Sequence, residues 1–204
     1  MDHEVAEREM AEMDRLFDRL FPICRSITGE GLRQTLKILS EYLPLEHFGV
    51  PTGTRVFDWE IPKEWNIRGA WLKGPDGNII ADFRRHNLHV VNYSIPVNRK
   101  LTLEELRPHL HSIPHLPEAI PYVTSYYRPR WGFCLPHRVL EQLPEGEYHA
   151  CIDSELKDGE LNYAHALLPG ESDREVLIST YVCHPSMANN ELSGPIVAAF
   201  LYRR

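Results

Sequence analysis

The sequence contains no long apolar run and no cluster of basic residues. No stretch approaches the ~20 consecutive apolar residues that a transmembrane helix needs. The 22 lysines and arginines are outnumbered by 29 aspartates and glutamates, and the net charge is −7. Because nucleic acids and anionic membranes are bound by clustered lysine and arginine side chains, we expect neither a nucleic-acid partner nor a membrane partner.

Cysteine is scarce and dispersed. The four cysteines, Cys24, Cys134, Cys151 and Cys183, form no Cys-x-x-Cys pair, and the N-terminus shows no signal-peptide pattern. We therefore expect reduced thiols and a cytoplasmic protein. The 204 residues, 43% of them hydrophobic and 25% charged, are enough for one or two globular domains.

Two amphipathic helices are predicted in the first 45 residues. The apolar residues of the first helix follow a 3-4-3 spacing: Met10, Met13, Phe17 and Leu20. Pro22 and the stretch "RSITGEG" then interrupt the pattern. The second helix is expected to begin at Thr28 as its N-cap and to end before Pro44. Its apolar face consists of Leu32, Leu36, Leu39 and Leu43.

Residues 54–147 differ in texture from the flanking sequence. "RVFDWEIP" and "NIRGAWL" alternate apolar and polar residues, "KGPDGN" is a hairpin-type turn before "IIADF", and "NLHVVNYSIPV" continues in a strand-like manner. "TLEE" at Thr102 fits a capping box, and "HRVLEQL" predicts a further short helix. This section therefore predicts a separate β-rich module, inserted between the N-terminal helices and the rest of the chain.

The last section, 148–204, is predicted to return to longer elements. "EYHACIDSEL" and "LNYAHALL" flank "KDGE" and indicate a hairpin. "EVLISTYVCH" is typical of a strand covered on both faces, and "SGPIVAAFLYRR" of the helix that follows it. One central strand and a few hairpins do not complete a doubly wound sheet, so we expect the chain to be the N-terminal portion of a longer protein.

The loop between this strand and this helix is the strongest candidate for a site. In open α/β sheets, ligands bind at the carboxyl ends of the strands, and His184 is predicted to lie at such an end. A neutral imidazole and the carboxylate of Glu191 are usual zinc ligands. The alternative is a hydrogen-bonded histidine beside an asparagine-rich turn. Cys183 is not expected to act with His184, because neighbouring strand residues point to opposite faces.

Four weaker candidates lie elsewhere, and a structural role is the simpler interpretation of each. A second metal cluster could use His109, His111 and His115. Arg130 beside Trp131 could bind a carboxylate or stack on a ring. Asp153 and Glu155 lie two residues apart on one strand face. The tryptophans of the middle section could bind carbohydrate: Trp59, Trp65, Trp71 and Trp131.

Long segments of the sequence resemble a bacterial family of aminopeptidase-like proteins. These segments include "LFPICRSITGEG" (20–31), "VFDWEIPKEWNIR" (56–68), "RWGFCL" (130–135) and "STYVCHPSMANNELSGP" (179–195). The resemblance implies an α/β fold: a partial zinc-peptidase core interrupted by an inserted β-rich domain of unknown function. Residues 1–53 would be the N-terminal helices of the core, 54–147 the inserted domain, and 148–204 the start of the α/β core.

The resemblance also implies a metal centre of two zinc ions held by five side chains. His184 would be the first ligand. The family's bridging aspartate falls on Asn190, and the following position is Glu191, so the predicted metal ligands are His184, Glu191 and Asn190. Ser186 replaces an aspartate that orients a ligand in related enzymes. The remaining ligands and the general-base glutamate would lie after Arg204, so the site is expected to be incomplete in this chain.

Two functions follow from the resemblance. The first is a metal-dependent aminopeptidase-like hydrolase acting on a peptide or amide substrate, represented here by its N-terminal portion and inactive alone. The second is a non-catalytic binding protein on a degenerate peptidase scaffold, linked to polysaccharide biosynthesis. Asn190 and Ser186 favour the second function, whereas His184 with Glu191 favours the first.

We expect the chain to self-associate when it is expressed alone. An apolar strand that lacks its neighbours leaves apolar surface exposed and offers unpaired backbone groups to another copy. Light scattering should therefore detect a homo-oligomer or aggregates, and a monodisperse monomer would contradict the expectation.

Overall fold

The structure, a computed structural model, describes residues 3–204. It is a mixed α/β protein. In chain order its elements are α1 (His3–Leu20), α2 (Glu30–Leu39), β1 (Glu46–Pro51), β2 (Arg55–Val56), β3 (Trp59–Glu60), β4 (Glu64–Lys73), β5 (Ile79–Asp82), β6 (Val97–Thr102), α3 (Leu103–Leu106), β7 (Leu110–His111), β8 (Phe133–Cys134), α4 (His137–Glu141), β9 (Glu147–Lys157), β10 (Glu160–His165) and α5 (Ser193–Tyr202).

The chain divides into two compact units. One unit contains the residues up to Lys63 together with Asp158–Arg204, and the other contains Glu64–Lys157. The second unit is thus continuous in sequence, whereas the first is built from both ends of the chain. These bounds start and stop ten residues later than the 54–147 predicted for an inserted domain. The assignment of domains to a peptidase-like core and an insertion stays a prediction.

The continuous unit is built on a four-stranded antiparallel sheet with the order β5-β4-β9-β6. Buried and more accessible residues alternate along β9, as the two-residue period of a strand requires. Its inward-facing residues are Tyr148, Ala150, Ile152 and Ser154. Tyr148, Ala150 and Ile152 pack with apolar residues of the neighbouring strands and of α3, so this unit has a core of its own.

Several local predictions for this unit are confirmed. The turn at 74–78 joins β4 to β5, with Gly77 at a positive φ of 79°. Thr102 caps α3, because its hydroxyl accepts from the Glu105 amide while the Glu105 carboxylate accepts from the Thr102 amide. The predicted strand "NLHVVNYSIPV" is wrong, since residues 87–89 form a single 3-10 turn and residues 90–96 contain only isolated bridges at Val90 and Asn92. Only its last residue, Val97, lies in a strand, β6.

In the discontinuous unit, α1, α2 and α5 share one apolar cluster. Its buried members are Leu16, Leu20, Ile23, Leu39, Leu192, Ile196, Ala199 and Phe200. The two N-terminal helices are therefore present as predicted, but two details of α2 differ. Gly29 rather than Thr28 precedes α2, and the helix ends at Leu39, so Leu43 lies outside it. Thr28 is instead buried.

Two strand predictions near the C-terminus are wrong. β10 pairs with β1, and β9 pairs with β4 and β6, so the expected hairpin around "KDGE" is not formed. The stretch 175–184 is irregular rather than a covered strand. Val176 and Leu177 are 90% and 89% exposed, because none of the described strands pairs with this stretch.

Among residues 3–204, no helix combines the length and the apolar character needed to cross a membrane.

Gly31 allows α2 to lie directly against the chain that precedes it. A Cβ atom at this position would lie 2.0 Å from the carbonyl oxygen of Cys24 and 3.2 Å from the Cα of Arg25. Both are backbone atoms that no rotamer change can move away. The second glycine of "TGEG", Gly31, is therefore required by the close packing of α2 against the backbone of Cys24 and Arg25.

Gly31→Ala is expected to destabilise the protein by about 1–3 kcal/mol, although alanine is the better helix former. Urea denaturation followed by circular dichroism measures the loss. Gly170→Ala is the matched control, because a Cβ atom there meets nothing within 4 Å. Equal stability of the two variants would show that the contact at Gly31 is absent.

Candidate functional site

The candidate site lies in the discontinuous unit, where the irregular residues before α5 meet a wide helical turn. Ala188–Leu192 form this turn and lead directly into α5. His184 precedes the turn, and Asn190 and Glu191 lie on it. The turn is anchored from beneath by Leu192, which is fully buried in the apolar cluster of the helices. A rigid helical base therefore positions the carboxylate and the amide.

The carboxylate of Glu191 holds the approaching chain in place. Glu191 is only 1% exposed. Its Oε1 atom accepts hydrogen bonds from the backbone N–H groups of both Cys183 and His184. Its Oε2 atom is buried and has no hydrogen-bond partner in the described part of the chain. Burial raises the pKa of this carboxyl, while the two amides, His184 and Arg25 oppose that rise.

The imidazole of His184 faces both loop residues that the sequence singled out. Its Nδ1 atom lies 3.2 Å from Glu191 Oε2 and 3.2 Å from Asn190 Oδ1. The amide oxygen is placed for a hydrogen bond, whereas the carboxylate oxygen is close but not aligned for one. Two states of the ring are therefore compatible with this geometry. A protonated Nδ1 donates a hydrogen bond to Asn190 Oδ1, whereas an unprotonated Nδ1 can bind a cation together with Glu191 Oε2.

Cys183 completes the group. One ligand atom from each of Cys183, His184 and Glu191 lies within 4.8 Å of the others, and this is the only such cluster of three among residues 3–204. The strand predicted at residues 183 and 184 is not formed, so the alternation of strand side chains does not apply to them. That Cys183 does not act with His184 stays a prediction. Burial, together with the Glu191 carboxylate, raises the pKa of this thiol to about 12, which disfavours the nucleophilic thiolate near neutral pH.

Arg25 lies beneath the site and is fully buried. Its Nε–H donates to the carbonyl oxygen of His184 at 3.2 Å, and one terminal nitrogen donates to the carbonyl oxygen of Leu20 at 2.6 Å. Burial lowers the pKa of the guanidinium, and Glu191 is the first of the groups that oppose this. The sequence analysis did not single out Arg25. The only available signal was an arginine inside the apolar segment "LFPICRSI".

The donor atoms fit a zinc ion. Two ligands at 2.0–2.1 Å from a tetrahedral ion lie about 3.3 Å apart, close to the 3.2 Å between His184 Nδ1 and Glu191 Oε2. The unmatched lone pairs of a buried carboxylate oxygen are also what a cation would satisfy. Ser186 has a positive φ of 51°. Metal binding by His184, Glu191 and Asn190 stays a prediction.

The histidines of the middle section do not converge. His109 stacks on Trp131 with ring centroids 3.7 Å apart, and its Nδ1 contacts the carbonyl oxygen of the same tryptophan. His111 is half-buried, and burial lowers its pKa. His115 is exposed. Arg130 donates to the carbonyl oxygen of Thr124. His109 and Arg130 thus form hydrogen bonds with nearby backbone carbonyl groups.

Asp153 and Glu155 each pair with a cation. Asp153 accepts from Arg68 Nε at 3.0 Å, and this guanidinium lowers the pKa of the Asp153 carboxyl. Glu155 lies 3.1 Å from the Lys157 ammonium. This arrangement provides no shared proton for acid–base work. Of the four tryptophans, Trp65 and Trp131 are buried, and Trp59 and Trp71 are partly exposed. Carbohydrate binding stays a prediction.

Glu191→Gln is expected to change how stability depends on pH in metal-free buffer. A carboxyl whose folded-state pKa is raised contributes stability at low pH and loses it as pH rises through that pKa. The wild type should therefore lose stability relative to Glu191→Gln as pH rises above the ordinary carboxyl pKa. Urea denaturation between about pH 4 and pH 8 measures the difference. A difference of the opposite sign would show that Glu191 is held ionised.

Comparison with known proteins places the chain among peptidase-like sequences. A Clostridium acetobutylicum protein with the provisional name of polysaccharide biosynthesis protein with aminopeptidase-like domain is 47% identical over 190 residues. That match covers 93% of this chain and 44% of the relative. A crystal structure from Clostridium acetobutylicum, provisionally described as a peptidase, superposes with a TM-score of 0.92 at 44% identity.

The structural match covers 98% of this chain and 49% of the other, so the chain spans about half the length of the relatives it matches. Residues 14–204 match the family described as a domain of unknown function, DUF4910. The two Clostridium acetobutylicum relatives carry aminopeptidase-like and peptidase names. The chain itself belongs to the DUF4910 family.

Proposed function

We propose that this protein is part of a metal-dependent, aminopeptidase-like hydrolase, and that His184 and Glu191 are ligands of its zinc site. The observation that carries the proposal is the buried Glu191 carboxylate. One of its oxygens is fixed by two backbone amides, and the other lies unmatched 3.2 Å from His184 Nδ1. A cation at this point would use both atoms without rearrangement of the backbone.

The chain's own residues would hold the site and set its shape. Glu191 would present Oε2 as an anionic oxygen ligand, and His184 would present Nδ1 as a neutral nitrogen ligand. Asn190 would be a weak third ligand through its amide oxygen or, if displaced, a hydrogen-bonding partner that orients the ring. Bound zinc would acidify water and polarise the carbonyl of a peptide or amide substrate.

The site is incomplete as described. A two-ion centre of the kind that the resemblance implies has five side-chain ligands. Of the predicted ligands, only His184, Glu191 and Asn190 lie in this chain. Substrate turnover by this chain alone is therefore not expected. The name of the Clostridium acetobutylicum relative joins an aminopeptidase-like domain to polysaccharide biosynthesis, and we extend that setting to this protein as part of the proposal. The cytoplasmic location and a homo-oligomeric state also stay predictions.

One observation favours the alternative function. His184 Nδ1 and Asn190 Oδ1 lie at hydrogen-bonding distance, so an Nδ1–H tautomer closes the network without any cation. With asparagine in place of the family's bridging aspartate, the same residues would form a stable loop on a non-catalytic binding protein. The two functions differ in a measurable property, which is the binding of zinc at His184.

Zinc is expected to bind this chain weakly, and more tightly as pH rises. The binding is weak because ligands are missing, and it is pH-dependent because the ion must displace the proton that burial favours on Glu191. Calorimetric titration with zinc chloride at several pH values measures both effects. Anomalous scattering at the zinc edge from soaked crystals should show a peak within coordination distance of His184.

His184→Ala should abolish this binding, and His115→Ala, which removes an exposed histidine of the other unit, should not. Binding that survives His184→Ala, or no anomalous peak at His184, would favour the non-catalytic function. Tight stoichiometric binding would show that this chain already contains a complete site.

A further inference from the structure

Arg25 is bonded to three parts of the discontinuous unit at once. Its guanidinium donates to the carbonyl oxygen of Leu20 at the end of α1, and it lies 3.5 Å from the hydroxyl of Thr35 on α2. Its Nε–H donates to the carbonyl oxygen of His184. A planar fork of fixed geometry is suited to such divergent contacts, whereas the single ammonium of a lysine is not.

The contact with His184 complements the one made by Glu191. Glu191 Oε1 accepts from the N–H of His184, and Arg25 donates to its C=O. Both backbone polar groups of His184 are thus held by buried side chains, a carboxyl oxygen at the N–H and a guanidinium at the C=O. The orientation of the Cα–Cβ bond is therefore constrained from both sides, and the contacts of Nδ1 with Asn190 and Glu191 set the direction of the ring.

The position of Arg25 is itself determined by packing. The first turn of α2 lies against the backbone of Cys24 and Arg25, with no room for a side chain at Gly31. Gly29, at a positive φ of 97°, turns the chain into that helix. The "CRSITGEG" stretch therefore delivers the guanidinium to one defined place under the site.

A purely structural role is a poor explanation for a cation at this place. Arg25 is 0% exposed, and burying a guanidinium has a large desolvation cost that well-packed apolar residues avoid. Glu191, which is also buried and binds the N–H of the same His184, is the first of the groups that oppose the effect of burial on the Arg25 pKa. The burial of both side chains is explained if their function is to hold the backbone of His184 between them.

We propose that Arg25 is the positioning residue of the site, holding His184 through its carbonyl oxygen so that the imidazole stays in register with the Glu191 carboxylate. Arg25 touches neither a substrate nor a cation in this scheme. The inference rests on the proposed function for the identity of the bound cation. The alignment of the imidazole, however, is a property of the chain and can be measured in the absence of a cation.

The test compares Arg25→Lys with Arg19→Lys. Arg19 makes a two-pronged pair with Glu41 on the surface of the same unit, so its substitution controls for loss of a guanidinium fork. Nitrogen-15 spectra of the His184 ring report its tautomer and environment, and calorimetry reports zinc affinity. Arg25→Lys should shift the ring signals and weaken zinc binding about 10–100-fold, and Arg19→Lys should do neither. A folded Arg25→Lys protein with the ring signals and the affinity of the wild type overturns the proposal.

A measurement on the unaltered chain decides the matter if Arg25→Lys does not fold. With nitrogen-15 arginine labelling, the Arg25 Nε–H should exchange with solvent far more slowly than that of Arg19, and zinc should shift its signal together with that of His184. Exchange as fast as at Arg19, or a zinc titration that moves His184 and leaves Arg25 unchanged, overturns the proposal.

The same data separate this inference from the proposed function. If the wild type binds no zinc but Arg25→Lys changes the His184 ring signals, the metal function fails and the positioning role stands. If the wild type binds zinc and neither the ring signals nor the affinity responds to Arg25→Lys, the positioning role fails alone.

Discussion

The site depends on one carboxylate that accepts hydrogen bonds from two successive backbone amides. Glu191 reaches from a helical turn and binds the N–H groups of Cys183 and His184, which ties an otherwise irregular stretch to α5. This contact matters because the stretch is not paired into a sheet and is otherwise held by the hydrogen bond from Arg25 to His184 and by packing of Val182 on the helices. The same bond leaves the second oxygen facing the imidazole. One interaction therefore supplies both the local fold and the geometry that could receive a cation.

The charges around this carboxylate explain why it can be buried. Two amide dipoles, the guanidinium of Arg25 and the imidazole of His184 all face it, and each lowers the free energy of its ionised form against the effect of burial. The pKa values of these groups are therefore linked. Gain or loss of one proton or one cation changes the protonation equilibrium of each of the others. Balances of this kind are frequent at functional sites, although structural networks also contain them.

Much of the local structure follows from the sequence because its cause is local. The capping box at Thr102, the turn at Gly77 and the apolar stripes of α1 and α2 each depend on residues a few positions apart. The errors concern elements whose partners are distant. "EVLISTYVCH" has the composition of a covered strand, but no strand of the described chain pairs with it. The nearness of His184, Asn190 and Glu191 was accessible from their spacing, whereas Arg25 reaches them from 159 positions away.

The exposed apolar residues just before the site have the composition of an aggregation-prone segment. Val176, Leu177 and Ile178 face solvent in a stretch that has high β-propensity and lacks proline, a composition that favours amyloid-like stacking. Asp173, Arg174 and Glu175 precede them directly, and charged residues in such flanking positions act as gatekeepers that slow fibril growth. The acidic overall charge has the same effect through mutual repulsion of copies. These charged neighbours therefore oppose association of copies through the exposed apolar stretch.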